Sequence, residues 1–401
     1  MRSKILKILI AVMMVGIITP AFSAVENVKV GGDIAIWGVL RGEFVSGERT
    51  HFFQTAARVY VSADLSDNVS AMVRVLNERR WASQEENFNI DLDLAYIKVS
   101  DLLTPGLSLT VGRQEIQLGE GLVVGSRYQA YDYPVNLAAT DLGVRKAFDA
   151  VRLDYAASGF PLNITAFMSK IYEAYSQKKD TDLYGVDVGL KLADMANVDV
   201  YYVKRMVRAD DDTLDTVGVR VVSGLPAVEG LSLKAEFAKQ FGDYADIVDY
   251  TGWALLAGFE YKLPVGMEPK VKLNYARYSG DDADTDDEYE GWQLVFPANI
   301  GSRIGPILYA KKIQEENLQT LNLGFSFKPM EKVAVSIDGY WNRYLQVQSG
   351  SKNLGIEVDL GIDWAITEDL TLGISGGKIF DADALGTIEP WQIIATMKVA
   401  F

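Results

Sequence analysis

From residue 28 onward the sequence repeats one unit. A segment of alternating apolar and polar residues is followed by a connector, and every second connector is short. Ser66-Asp67-Asn68, Thr104-Pro105-Gly106, Ser158-Gly159, Ala196-Asn197, Pro264-Val265-Gly266, Pro329-Met330-Glu331 and Thr367-Glu368-Asp369 are built from the residues that tight turns require. The intervening connectors are longer and more polar, and two of them, over 114–146 and 280–316, exceed thirty residues. A period of two is that of a strand with one apolar face. A soluble sandwich has no reason to sort its loops by parity, whereas a membrane barrel has short turns on one side and long loops on the other.

The period places strands near 28–45, 52–64, 69–80, 88–99, 107–113, 147–156, 161–173, 183–192 and 197–207. The second half follows with 215–223, 230–242, 251–262, 269–279, 317–328, 332–345, 353–366, 370–380 and 390–401. That is about eighteen, an even number that lets an antiparallel sheet close on itself. The expected fold is all-β, a transmembrane antiparallel barrel.

The first residues, MRSKILK then ILIAVMMVGIITP then AFSA, have the charged, apolar and small-residue regions of a secretory leader. Ala21 and Ser23 suit the positions before a cleavage site, so a leader over 1–23 and a barrel over 24–401 are expected, exported by the general secretion route. Without Arg2, Lys4 and Lys7, 36 of the 39 basic residues remain against 54 acids, a formal charge of −18. That balance excludes nucleic acid as an expected partner. The chain has no Cys, which removes disulfides, thiolate nucleophiles and Cys metal sites. Beyond the leader no run of eighteen apolar residues occurs, yet 49% of residues are hydrophobic. Lipid admits only helices and closed barrels, so strands must do the crossing.

In a water-filled barrel the apolar face meets lipid and the polar face the lumen. Leu354, Ile356, Val358, Leu360, Ile362 and Trp364 alternate with Gly355, Glu357, Asp359, Gly361 and Asp363. A carboxylate facing lipid costs several kcal/mol, so the acids point inward. The same counting places Asp338 inside, opposite Ile337, and puts Arg41, Arg58 and Arg74 on the polar faces of the first three strands. Those arginines either form a track for solute or neutralise acids such as Glu43, Asp91 and Asp93.

Catalytic and metal chemistry is poorly represented. His51 is the single histidine, assigned to a connector beside Arg49, and no triad surrounds it. The run from Asp281 to Glu288 has Asp287 where a calcium loop needs Gly and Gln293 where it needs Glu. No catalytic residue, metal site or cofactor is expected.

The last strand, Trp391 to Phe401, has one apolar row and an aromatic terminal residue. It resembles the closing strand of bacterial outer-membrane barrels, which pairs with the first strand and is read by the barrel-assembly machinery. Three further stretches extend the resemblance: Val111-Gly112-Arg113-Gln114 with Leu118-Gly119-Glu120-Gly121, Tyr278-Ser279-Gly280-Asp281-Asp282, and Trp292 to Pro297. Together they are similar to motifs of the alginate-export type of outer-membrane porins. The resemblance implies inward-folding loops, Arg113 and Gln114 at the pore wall, and a loop hinge at Gly280 and Asp281. Here Arg41, Arg58 and Arg74 are offset by Asp338, Glu357, Asp359 and Asp363, unlike a lumen lined densely with Arg for a polyanion. The reading is a passive channel in the outer-membrane lipid for small hydrophilic solutes, anionic or sugar-like ones among them. An adhesin or structural barrel with acidic partner-binding loops is the alternative.

Overall fold

The computed structural model describes residues 26–82, 90–126, 140–173, 179–192, 195–225, 228–282, 287–386 and 388–401. The expected leader and its cleavage site, and positions 283–286 of the acidic run, lie outside the described residues.

Twenty strands form one sheet. In chain order they are β1 Glu26–Gly42, β2 Arg49–Ser66, β3 Val69–Arg80, β4 Asp91–Val99, β5 Leu107–Glu115, β6 Ala147–Ala156 and β7 Leu162–Tyr172. β8 Thr181–Leu192, β9 Ala196–Val207, β10 Asp212–Gly224, β11 Leu231–Tyr244, β12 Val248–Tyr250, β13 Trp253–Lys262 and β14 Lys270–Tyr278 follow. The rest are β15 Glu288–Tyr289, β16 Leu318–Met330, β17 Val333–Tyr344, β18 Asn353–Ala365, β19 Leu370–Phe380 and β20 Trp391–Ala400. β12 and β15 are a short parallel pair between loops, bypassed by the direct β11–β13 and β14–β16 pairings. The other eighteen pair antiparallel with their neighbours, and β1 pairs with β20 to close the barrel. Closure removes the unpaired edges that hydrocarbon would not tolerate.

The closing seam depends on close approach. Gly32 and Phe401 exchange two backbone hydrogen bonds, 2.9 Å from the Gly32 N–H and 3.0 Å from the Phe401 N–H. A Cβ on Gly32 would lie 2.9 Å from the Phe401 ring, so the terminal aromatic occupies space that only glycine leaves.

Alternation holds along most strands. Val59, Val61, Val73, Ile97, Leu153, Val186 and Val200 are exposed on the outer wall, as are Ile337, Leu360 and Ile362. Leu354 departs from it. It is fully buried, because the register shifts at Asn342/Arg343 and makes Leu354 the extra residue of a bulge. Gly355, at φ +93, provides the backbone geometry. A bulge reverses the facing of what lies beyond it, so Leu354 turns from the lipid row into the interior. His51 also moves from its expected place, since β2 begins at Arg49 and carries it as a strand residue paired with Leu40.

The apolar core lies inside the barrel. Ile116, Leu118, Leu122, Val123 and Val124 from one long loop join Trp292, Phe296, Ile300, Ile304, Ile307 and Leu308 from the other. They pack on inward residues of the upper wall such as Phe148, Phe167, Leu183, Tyr201, Leu214 and Tyr278. A second cluster, Ala35, Trp37, Val39, Ala56, Leu76 and Ile394, is covered by Leu142 and Val144. Apolar side chains on the lumen side of a water-filled tube would be costly, and the loops fold inward because they cover them.

Candidate functional site

The two loops are zipped together. Val124 and Phe296 form a parallel bridge. The Phe296 N–H donates to Val123 O and the Ala298 N–H to Gly121 O, each at 2.8 Å. Arg303, in the short helix α1 (Ile300–Ile304), donates to Glu120 O at 3.0 Å and Ala298 O at 2.5 Å, and forks onto the fully buried Glu315. Burial works against its charge, but the Glu315 carboxylate more than offsets this and holds its pKa above the ordinary arginine value. Tyr278 OH also donates to Glu315, at 2.8 Å, tying the clamp to the wall.

Glu120 fastens the same loop to the neighbouring stretch of wall, β10 and β11. It accepts from Arg220 at 2.6 Å and faces Lys234, while its N–H donates to Glu236 at 3.3 Å. Burial pushes its pKa up, but the Arg220 hydrogen bond and the charges of Lys234 and Arg220 outweigh it, and the net shift is downward.

Segment 297–309 separates two open spaces. One, about 130 Å³, lies against β10–β14 and is lined by Glu120, Arg220, Lys234, Glu236, Asn274 and Arg303. The other, about 350 Å³, lies between the two loops and β20, lined by Asp141, Arg145, Lys146, Ser302, Tyr309 and Gln392. Arg145 is spent on Glu78, at 2.9 Å, and on Asp91. Lys146 brings a second cation to this space.

The residues selected from sequence fall in different places. Arg41 is buried, donates to Asp141 at 2.6 Å and to Gln392 at 3.1 Å, and lies over the Phe44 ring. Arg58 pairs with Asp33 at 2.9 Å. Arg74 pairs with Asp93 and Glu115, each at 2.5 Å. All three are therefore ion-paired rather than a bare positive track. Asp338 bonds Lys272 at 2.8 Å and lies opposite Asp359 in the register. Glu357 is fully buried. Its carboxylate accepts from the N–H groups of Ile307, at 2.6 Å, and Leu308, at 3.0 Å, at the start of helix α2 (Pro306–Ala310). Asp363 is exposed toward the short-turn end of β18.

Three placements differ from the expectation. Arg113 shares a strand face with the exposed Val111 and bonds Asp149 at 2.9 Å, which shares a face with exposed Leu153, so Arg113 belongs to the outer wall. Period-two counting from Val111 carries that information, and the motif alone does not. Gln114 is buried, and its amide donates to three backbone carbonyls, Thr110, Gly112 and Ala150. It staples the strand rather than facing a solute. Gly280 and Asp281 form a pinned junction, not a free hinge. Gly280 abuts Asn317, which is tied to Gln346, and Asp281 accepts from the Glu290 N–H at 3.0 Å.

A family model for alginate export matches residues 45–392. This chain belongs to the alginate export family. It is an outer-membrane β-barrel of the porin type. No curated protein sequence matches it significantly. Among solved structures it is similar to Pseudomonas aeruginosa OpdL, at 13% identity and TM-score 0.66, over 94% of this chain and 99% of that one. P. aeruginosa OccK11 (OpdR) gives 10% identity and TM-score 0.63 over 94% of this chain and 96% of that one. P. aeruginosa OccK2 (OpdF), solved in complex with glucuronate, gives 10% and 0.63 over 94% and 99%. At such identities the likeness is one of fold.

In this alginate export family barrel, sequence reasoning missed Asp141, Arg145, Lys146, Arg303 and Glu315. The signal available was the apolar content of the loops. Leu122-Val123-Val124 and Ile307-Leu308 are too hydrophobic for solvated surface loops and mark segments that fold inward.

Proposed function

We propose that this protein is a passive channel for small hydrophilic solutes and that it favours small anions such as sugar acids. The observation that carries the reading is the space of about 350 Å³ between the two inward loops, lined by Lys146 and Arg145 together with Ser302, Tyr309 and Gln392. Hydroxyls and an amide suit a polyhydroxylated solute, and a cation in a narrow, partly dehydrated space acts more strongly than in bulk water. The size of the space and the pairing of Arg41, Arg58 and Arg74 with acids favour a small solute over a polyanionic polymer. Glucuronate, which a protein of similar fold binds, is the natural probe. Porin-type diffusion needs no chemical step, and we assign no enzymatic activity.

The test is the reversal potential of the refolded protein in planar bilayers, with liposome swelling in glucuronate and in glucose. Wild type should prefer anions and admit glucuronate faster than its charge-reversed variant Lys146→Glu. An unchanged reversal potential in that variant would remove the assigned passage, and absence of any conductance would remove the channel.

A further inference from the structure

The outer wall carries a recess that transport through the lumen does not use. It has a volume of about 620 Å³ and lies across β7–β10 near the long-loop end. Met168, Tyr184 and Met206 form part of its lining, beside Lys170, Asp182 and Arg208. Met168 shares its strand face with Lys170, and Tyr184 shares its face with Asp182 and with the exposed Val186. These side chains therefore face away from the lumen. Asp180 and Asp182 are almost fully buried, with side chains 5% exposed, whereas Lys170 is 37% and Arg208 27% exposed. Lys170 bonds both acids, at 2.8 and 2.7 Å, and Arg208 forks onto Asp182 at 2.6 and 3.1 Å. The buried acids hold the two cations outward.

We propose that this recess binds a phosphorylated glycolipid of the outer leaflet, with an acyl chain on Met168, Tyr184 and Met206 and a phosphate on Lys170 and Arg208. The donor inventory supports it. An ammonium has three donors and a guanidinium five, and Asp180 and Asp182 use two of each. The guanidinium fork is fixed by its acid, so its remaining N–H groups are already ordered for a phosphate oxygen. Charged groups on a lipid-facing wall cost several kcal/mol in hydrocarbon, so this height belongs to headgroups. The thioethers suit an acyl chain because they are flexible and polarizable.

The experiment is native mass spectrometry of the refolded full chain titrated with bis-phosphorylated lipid A, dephosphorylated lipid A and phosphatidylethanolamine. Wild type should bind phosphorylated lipid A at least tenfold more tightly than either other lipid. Lys170→Met with Arg208→Met should abolish that preference. Because those changes strand two buried acids, a second variant adds Asp180→Asn and Asp182→Asn and should also lose the preference while keeping heat-modifiable migration. Lys262→Met with Lys328→Met, which removes as much charge at the short-turn end, should bind like wild type. Equal binding of phosphorylated and dephosphorylated lipid A by wild type would overturn the proposal, as would an undiminished preference in the fourfold variant. Met206→Cys places a thiol in a chain that has none. Efficient cross-linking of two copies through it in membranes would assign the recess to protein contact and overturn the lipid reading.

Discussion

A single buried carboxylate shows how function depends on residue-scale satisfaction. Glu357 is fully buried, yet it accepts the first N–H groups of α2 and so fixes the helix that borders the space of about 350 Å³. Leaving a buried donor without an acceptor costs about 1–3 kcal/mol. Glu357→Ala should therefore loosen segment 306–310, raise single-channel conductance and speed proteolysis of this loop. Glu357→Gln, which keeps one acceptor, should do less on both readouts. Glu120 makes the complementary prediction about pH. Its pKa is lowered in the folded protein, so its stabilising contribution is fully present above the unfolded value, about 4.3, and is lost as pH falls through the folded value. The clamp to Arg220 should weaken in acid, with open-channel noise increasing below about pH 4. Glu120→Gln should be noisier at neutral pH and lack that acid transition.

At the scale of elements, the strands gain stability from neighbours on both sides and the loops gain it from the lumen wall. The β1–β20 seam joins the two ends of the chain, in register from Asp33 opposite Ala400 to Gly42 opposite Trp391. Removing Phe401 deletes two backbone hydrogen bonds and the ring against Gly32. The deletion should lower the folded fraction recovered in outer membranes more than removal of Asp246 from the β11–β12 turn does. Equal yields would show that the seam does not need its aromatic end. Gly32→Val should mimic the Phe401 deletion, because its side chain would fall where the ring lies.

At the scale of the whole molecule, apolar rows face outward along the wall, and two inward loops bury a second apolar set against the inner face of the upper lumen. No described helix is long and apolar enough to cross a membrane, and the crossing is made by strands. The refolded protein should give a β-rich circular dichroism spectrum and migrate differently on gels before and after heating. Membrane-localised material should begin at Ala24, and N-terminal sequencing that found Met1 would contradict the leader expected over 1–23.

What the sequence determined by itself was whatever repeats locally. Period two and turn chemistry are properties of adjacent residues, so strands such as 69–80, 147–156 and 370–380 were legible to the residue. The inward facing of Asp338, Arg41 and Arg58 followed from the same counting. The bulge at Leu354 was not legible, since an extra residue is defined only against a partner strand. Nor was the outward facing of Arg113 taken from its motif, although Val111 two residues away carried it. Tertiary structure alone decided the rest. Arg41 meets Asp141 across 100 residues, and Arg303 reaches Glu120 across 183. A lumen acid caps a helix, and the three arginines form ion pairs, because pairing depends on which loops fold back into the barrel. Strand periodicity cannot encode that choice: it fixes which side of the wall a residue faces and leaves open what comes to meet it there.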